Sequence, residues 1–161
     1  MSGKRASLLA MFIALSVVGA IFKMPSTVGS VALDAFPALI AAVLIGSRSG
    51  GLIASFGHLL SALIVGFPLG PMHVLIAAEM AALVWLFGKM YEAQKKKWAA
   101  VTFAIGNGLV IPLPFSLILG TGFYVAVVPS LLIASVLNLA LALILIPRLL
   151  PLFEKRGLAS L

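Results

Sequence analysis

Two of the four acidic residues in this 161-residue sequence lie inside stretches that are otherwise apolar. Glu79 sits within HVLIAAEMAALVW, with no cation at helical spacing, and Asp34 follows the short polar turn in FKMPSTVGSVALDAFPALI. A charged side chain at the centre of a bilayer costs on the order of 3 kcal/mol on insertion scales and usually has a functional reason. Glu79 is therefore expected to contact a ligand or to hydrogen-bond a neighbouring helix. Asp34 is placed to cap the helix that contains Pro37, to line a pocket, or to do both.

Two histidines and two asparagines also interrupt the apolar runs. A lone histidine is more often a hydrogen-bonded packing residue than a ligand, so both interpretations stay open for His58 and His73. Asn107 and Asn138 lie near the middle of their runs, where amides commonly form hydrogen bonds between helices. The last run carries a stripe at helical spacing that mixes aromatic and polar groups, and such a stripe suits a cavity wall: Tyr124, Leu131, Ser135 and Asn138.

The composition places these residues in a membrane protein. The chain is 63% hydrophobic and 9% charged, with a mean hydropathy of +1.24, whereas soluble domains are about half apolar and about a quarter charged. Backbone polar groups in hydrocarbon must be satisfied within their own segment, and a span takes about 20 residues. We therefore expect an all-α fold, a single membrane domain over residues 1–161 with six transmembrane helices near 6–23, 32–46, 49–67, 71–90, 98–119 and 124–147. The first run also resembles a signal peptide, but we expect it to be kept as the first span.

The positive residues predict the orientation of this bundle. If the N-terminus is cytoplasmic, ten of the eleven Lys and Arg residues fall on the inside and Lys23 alone falls outside. Such an excess of positive charge marks the cytoplasmic side, so both termini are expected there. The basic run Lys95–Lys97 is then a cytoplasmic loop, and no nucleic-acid partner is expected.

Two rows of small residues recur at every fourth position: Ala6, Ala10 and Ala14 in the first run, and Gly46, Gly50 and Ala54 around the third. Rows of this kind let helices approach closely in lipid. The first row packs either against the protein's own helices or against a partner protein.

Pro112 and Pro114 lie in the fifth run, close to Phe115. Each proline removes a backbone donor and kinks its helix. The carbonyls freed in this way need partners from the protein, from water or from a substrate.

Motifs of enzymes are missing from the sequence. It has no cysteine, and it contains no HExxH, no GxSxG, no phosphate loop and no paired carboxylates at metal spacing. We therefore expect no catalytic residues, no cofactor and no metal. Without a nucleotide motif, active transport by this chain alone would need ion coupling, for which about 160 residues is small.

With these features, the chain resembles the substrate-binding S components of energy-coupling factor (ECF) vitamin transporters over essentially its whole length. Within that family the segments KMPSTVGSVALDAFPALIAAVLIGSRSGG, GHLLSALIVGFPLGPMH and NGLVIPLPFSLILGTGFY are most similar to the CblT-type transporters of α-ribazole, a cobalamin precursor. Cobalt and nickel S subunits open with Met-His, whereas this chain opens with MSGKR, so the resemblance does not point to a metal substrate.

The resemblance implies a multi-pass protein of the prokaryotic plasma membrane that captures a vitamin precursor from outside. It would dock on a membrane coupling protein that carries two cytoplasmic ATPases and rotate in the bilayer to deliver its substrate. The Ala6, Ala10 and Ala14 row would be the docking surface. An S component for another precursor, such as a thiamine precursor, is an open alternative, as are a structural membrane protein and an intramembrane metalloenzyme that uses His58, His73 and Glu79.

We expect an outward-facing pocket bounded by the loops around Lys23–Val31, Phe67–His73 and Leu119–Tyr124. Eight residues are predicted to contribute to substrate binding there: Asp34, His58, His73, Glu79, Asn107, Phe115, Tyr124 and Asn138.

Overall fold

The computed structural model describes residues 3–26 and 29–158, and its elements follow the apolar runs in order. α1 (Gly3–Gly19) leads into a hairpin of two antiparallel strands, β1 (Lys23–Ser26) and β2 (Gly29–Ala32). Three helices follow: α2 (Phe36–Leu44), α3 (Ser47–Ile64) and α4 (Met72–Glu92). The fifth run comprises α5 (Lys96–Ile105), a π-helical segment (Gly106–Val110) and α6 (Leu113–Leu119), and α7 covers Thr121–Lys155. The fold is helical as predicted, with one short hairpin that the sequence did not predict.

The centre of the fold is α2, a helix of nine residues. Seven of its nine residues are buried, and its Leu39 and Leu44 have no exposed surface. Nine residues make a helix about 14 Å long, roughly half of the hydrocarbon thickness of a bilayer. Within residues 3–26 and 29–158, three segments are long and apolar enough to cross a membrane, namely Met72–Glu92, Lys96–Leu119 and Thr121–Lys155. A bundle of six spans therefore remains a prediction.

The last helix is longer than predicted. The expected end at residue 147 was wrong, because α7 continues through Pro147 and Pro151 to Lys155. A proline inside a helix removes one hydrogen bond and bends the helix, but the packing of the following turns can compensate for it. Here Leu150 and Phe153 pack against the core, and the Phe153 ring lies 6.4 Å from that of Phe12 in α1.

The fifth run is interrupted where the two prolines predict a break. Ile111 N donates to Gly106 O over 2.8 Å, which is the i to i−5 hydrogen bond of a π-helix. The chain then turns, and α6 begins at Leu113, directly after Pro112. This irregular backbone lies against α7 and carries Asn107.

Small residues allow α2, α3 and α4 to pack at close range. A Cβ atom added at Gly50 would lie 2.6 Å from Ala42 Cα, and one added at Gly88 would lie 2.7 Å from Ser47 Cβ. Both distances are too short for any side chain. The row formed by Gly46, Gly50 and Ala54 thus packs at its central glycine against the protein's own α2, consistent with the close approach that it predicts.

Basic residues gather at one end of the bundle. Arg5 at the start of α1 donates to Ser49 Oγ at the start of α3 over 3.1 Å. Lys89 at the end of α4 pairs with Glu92 over 2.8 Å. Because α3 and α4 run in opposite directions, the end of α3 and the start of α4, with His58 and His73, lie towards the other end.

Gly50 provides a test of this packing. Replacing Gly50 with Ala should lower the free energy of unfolding by about 1–3 kcal/mol, since the methyl group would overlap the backbone of Ala42. Gly122→Ala is the matched control, because an added Cβ there has no atom within 4 Å. Thermal unfolding of both variants in detergent measures the difference, and equal midpoints would show that α2 and α3 are not in close contact.

Candidate functional site

A cavity of about 480 Å³ opens towards the end of the bundle that carries the two histidines. Its walls come from the end of β2, the segment between β2 and α2, α3, α4, the π-helical segment, α6 and α7. Pockets for small ligands typically have volumes of about 300–1,000 Å³ and mostly apolar walls with a few polar groups. The structure brings six of the eight predicted residues to this cavity: Asp34, His58, His73, Asn107, Phe115 and Asn138.

The predicted bounding loops also contribute to the cavity. Pro68, Leu69 and His73 come from the second loop, and Phe123 comes from the third. Of the first loop, residues 27 and 28 lie outside the described residues, and Ala32 at the end of β2 reaches the cavity wall.

Asp34, His58 and His73 form a row of polar groups on one wall. Asp34 Oδ2 lies 3.9 Å from His58 Nδ1, and His58 Nε2 lies 3.1 Å from His73 Nδ1. At the far end, the backbone N–H of Leu69 donates to His73 Nε2 over 3.4 Å. Because Leu69 N can only donate, a neutral His73 carries its proton on Nδ1 and donates to His58. His58 accepts this hydrogen bond at Nε2, so a neutral His58 carries its own proton on Nδ1, which faces the Asp34 carboxylate.

The capping interpretation of Asp34 is wrong. The residue that precedes α2 is Ala35, and no side chain of the helix start caps it. The Asp34 side chain is instead 16% exposed beside His58 and within hydrogen-bonding reach of the Ser61 hydroxyl. Sequence reasoning missed Ser61, although its position three residues after His58 puts both on one face of α3.

Asn138 supplies the cap that was one of the roles expected of Asp34. Its Oδ1 accepts from the backbone N–H groups of Ala35 over 3.1 Å and Phe36 over 2.8 Å. Its Nδ2 donates to the carbonyls of Ala32 over 3.3 Å and Ala134 over 2.9 Å. The predicted interhelical hydrogen bond is therefore present, and all four hydrogen bonds that this amide can form are made within the protein.

Asn107 also bonds between elements. Its Nδ2 donates to Ser135 Oγ over 2.7 Å, and Ser135 Oγ donates to Leu131 O over 2.6 Å. Since the Ser135 proton is engaged with Leu131, Ser135 must accept from the amide nitrogen of Asn107. This fixes the orientation of the amide and leaves Asn107 Oδ1 without a hydrogen bond from the residues described.

Tyr124 does not line the cavity, contrary to expectation. Its hydroxyl donates to Leu109 O over 3.1 Å, in the π-helical segment. In a π-helix the donor to Leu109 O would be residue 114, which is a proline without an N–H. Tyr124 therefore satisfies a carbonyl that Pro114 leaves free, while Phe115, which is buried, provides aromatic surface in the cavity.

Glu79 also lies outside the cavity. It borders a shallow depression between α4 and α6, with Val110, Leu113, Pro114, Ser116 and Leu117. Its Oε2 is buried and has no hydrogen-bond partner among the described residues. The expected contact with the same ligand as Asp34 is thus not supported, because Glu79 borders this depression and does not line the cavity.

The row of small residues on α1 faces away from the core. Ala10 and Ala14 are exposed and Ala6 is half-buried, whereas Phe12 and Ser16 are buried. Ser16 lies against Gly57 of α3, where an added Cβ would be 2.7 Å from Ser16 Cβ. The inward side of α1 is thus separate from Ala10 and Ala14.

The cavity shows no arrangement typical of a metal centre. Within residues 3–26 and 29–158, no three His, Asp or Glu side chains group to hold a metal ion. The hydrogen-bond directions also place a proton on His73 Nδ1, the nitrogen closest to His58. A metalloenzyme built from the two histidines and Glu79 is contradicted by the position of Glu79 outside the cavity.

Comparison with known proteins gives one match. A family model described as ECF transporter, substrate-specific component, matches residues 4–157. No curated protein and no solved structure matches the chain.

Replacing Asn138 with Ala should destabilise the fold. The change leaves the N–H groups of Ala35 and Phe36 buried without acceptors, at about 1–3 kcal/mol for each unpaired group. The melting temperature in detergent should fall clearly, whereas Ser116→Ala, on the exposed side of α6, should change it little. An Asn138→Ala variant with unchanged stability would show that this amide does not hold α2 in place.

Proposed function

The chain belongs to the family of ECF transporter substrate-specific components, and on that premise we propose that it captures α-ribazole for uptake. Membership makes the protein a membrane-embedded, substrate-binding subunit of an ECF importer. The family comprises transporter components rather than enzymes, and it implies residence in the prokaryotic plasma membrane.

The family also implies the partners of this chain, which are a membrane coupling protein and ECF ATPases. The sequence itself contains no phosphate-binding loop. ATP hydrolysis therefore takes place on the partner subunits, and this chain contributes the capture of a small molecule.

The observation that carries the α-ribazole proposal is the combination of a carboxylate and aromatic side chains in one cavity. Asp34 lies on one wall, and Phe115 and Phe123 lie on the walls formed by α6 and α7. α-Ribazole joins a flat, apolar benzimidazole to a ribose that carries hydroxyl groups. A carboxylate accepts hydrogen bonds from hydroxyls, and an aromatic side chain packs against a flat ring. The two kinds of lining group thus suit the two halves of this molecule.

We further propose that the cavity faces the outside and that both termini are cytoplasmic, with six passes through the membrane. The support is the position of the basic residues at the end of the bundle away from the cavity, since such residues mark the cytoplasmic side. The second pass would consist of the hairpin together with α2, because α2 alone is too short to span the bilayer.

The first test of this proposal uses Asp34→Asn. Loss of a hydrogen bond to a charged group costs about 1.5–3 kcal/mol, so the affinity for α-ribazole should fall about ten- to a hundredfold. Titration calorimetry in detergent measures the change.

Glu79→Gln is the matched control for Asp34→Asn, because it removes the other carboxylate of the apolar segments and lies outside the cavity. Its affinity should equal that of the unmodified protein. Unmodified protein that binds a thiamine precursor but not α-ribazole would reassign the substrate and keep the family function.

The second test separates capture from transport. Replacing Ala10 and Ala14 with Leu should fill the exposed groove on α1 and hold a partner helix away, since close packing supplies much of the association between helices in lipid. Substrate affinity should be unchanged, because the cavity contains no residue of α1. Uptake by cells that carry the complete transporter should be lost. Normal uptake would show that the coupling protein docks on another surface.

A further inference from the structure

The hydrogen bonds around the cavity use up most of the donors that its walls contain. The Leu69 N–H is directed at His73 Nε2 and the His73 proton at His58 Nε2, while the His58 proton faces the Asp34 carboxylate at 3.9 Å, which is longer than a hydrogen bond. The backbone N–H groups of Ala35 and Phe36 are taken by Asn138, whose own amide hydrogens are taken by two carbonyls. Among the described residues, the walls therefore have few donors left to offer a ligand, and the His58 N–H that remains lies beside the Asp34 carboxylate.

Acceptors, in contrast, remain free. The Asp34 carboxylate has more lone pairs than its neighbours occupy, and Asn107 Oδ1 has no hydrogen bond from the described residues. The amide of Asn107 cannot turn its nitrogen towards the cavity without losing its hydrogen bond to Ser135. Pro112, also on the cavity wall, removes a donor and adds none.

We propose that the cavity selects its substrate by the hydrogen-bond donors that the substrate carries. Asp34 accepts a hydrogen bond from one donor on the α3 side of the cavity, and Asn107 accepts one from a second donor on the α7 side. The substrate is a neutral or cationic molecule with an apolar body and at least two hydroxyl or amino groups. Phosphorylated or carboxylated forms of the same molecule are rejected. This inference rests on the proposed capture function and defines the substrate class more closely.

Two physical terms produce the rejection of anions. An anionic group brought next to Asp34 meets a like charge in a partly buried site, where the repulsion is stronger than in water. A phosphate or carboxylate also brings acceptors to walls that have acceptors of their own. Among the described residues that line the cavity there is no Lys or Arg to offset either term.

The experiment is a binding screen in detergent with the complete chain and water-soluble vitamins and their precursors. The neutral or cationic probes are α-ribazole, thiamine, a hydroxymethylpyrimidine thiamine precursor and pyridoxine, and the anionic probes are biotin, pantothenate, nicotinate and α-ribazole 5′-phosphate. A neutral or cationic probe should bind, and its phosphorylated or O-methylated derivative should bind at least about tenfold more weakly. The inference is overturned if an anionic probe binds tightly, or if a phosphorylated or O-methylated derivative binds as well as its parent probe. It is also overturned if no probe binds.

The screen also separates this inference from the assignment of α-ribazole. If a different neutral compound binds and α-ribazole does not, the proposed substrate is wrong, and selection by the hydrogen-bond donors of the substrate is retained. If α-ribazole and its 5′-phosphate bind equally, the proposed substrate stands and selection by the hydrogen-bond donors of the substrate is wrong.

Measuring the affinity of each derivative for each variant then shows which donor of the ligand binds Asp34 and which binds Asn107. Asn107→Leu should weaken the bound probe about tenfold, and it should abolish the difference between that probe and the derivative whose Asn107-facing donor is methylated. The derivative whose Asp34-facing donor is methylated should still bind more weakly than the probe in Asn107→Leu. This difference in affinity should disappear in Asp34→Asn.

Ser116→Ala, outside the cavity, is the control that should leave both differences intact. A variant that merely unfolds would lose both differences together with all binding. If Asn107→Leu folds and still binds every methylated derivative more weakly than the probe by the same factor as the unmodified protein, Asn107 does not contact the ligand.

Discussion

The fold depends on one amide in the middle of α7. The start of a helix leaves backbone N–H groups without partners inside the helix, and in an apolar environment they must be satisfied by the protein. For α2 that partner is Asn138, which also bonds the carbonyl of Ala32 at the end of the hairpin. The same residue thus fixes both chain segments that lead to Asp34. The position of the carboxylate in the cavity follows from this attachment, because Asp34 lies between the two bonded segments.

The cavity is built where regular structure is interrupted. Its walls include the hairpin end, the segment between β2 and α2, the turn before α4 and the π-helical segment with the following Pro112. Irregular backbone at membrane depth is tolerated only where it is buried in protein or lines a cavity. Interruptions of this kind expose backbone carbonyls, and Tyr124 shows that at least one of them is satisfied by a side chain. The interrupted segments also carry Asp34 and Asn107, whose side-chain oxygens can accept hydrogen bonds at the cavity wall.

The sequence was informative about elements and less so about partners. Apolar runs predict the helices because each run must satisfy its own backbone, and Pro112 and Pro114 predict the break in the fifth. The cavity residues His58, His73 and Asn107 could be selected because polar groups are rare in such runs. Asp34 and Glu79 look alike in sequence, yet only Asp34 reaches the cavity, since the face of a helix is set by packing. The capping role of Asn138 could not be predicted, because its partners lie about a hundred residues away in the chain.

The separation along the chain between Asn138 and its partners determines the order in which they are synthesised. Asn138 bonds Phe36, Ala35 and Ala32 across 102, 103 and 106 positions of the chain. While a ribosome makes the protein, α2 leaves it early, and the residue that satisfies its first N–H groups is added only with the last helix. Until then the start of α2 must keep its contact with water or with the insertion machinery. The binding cavity can thus close only once Asn138 of α7 has been made, so a truncated product that ends before α7 contains six of the helices described above but no assembled site.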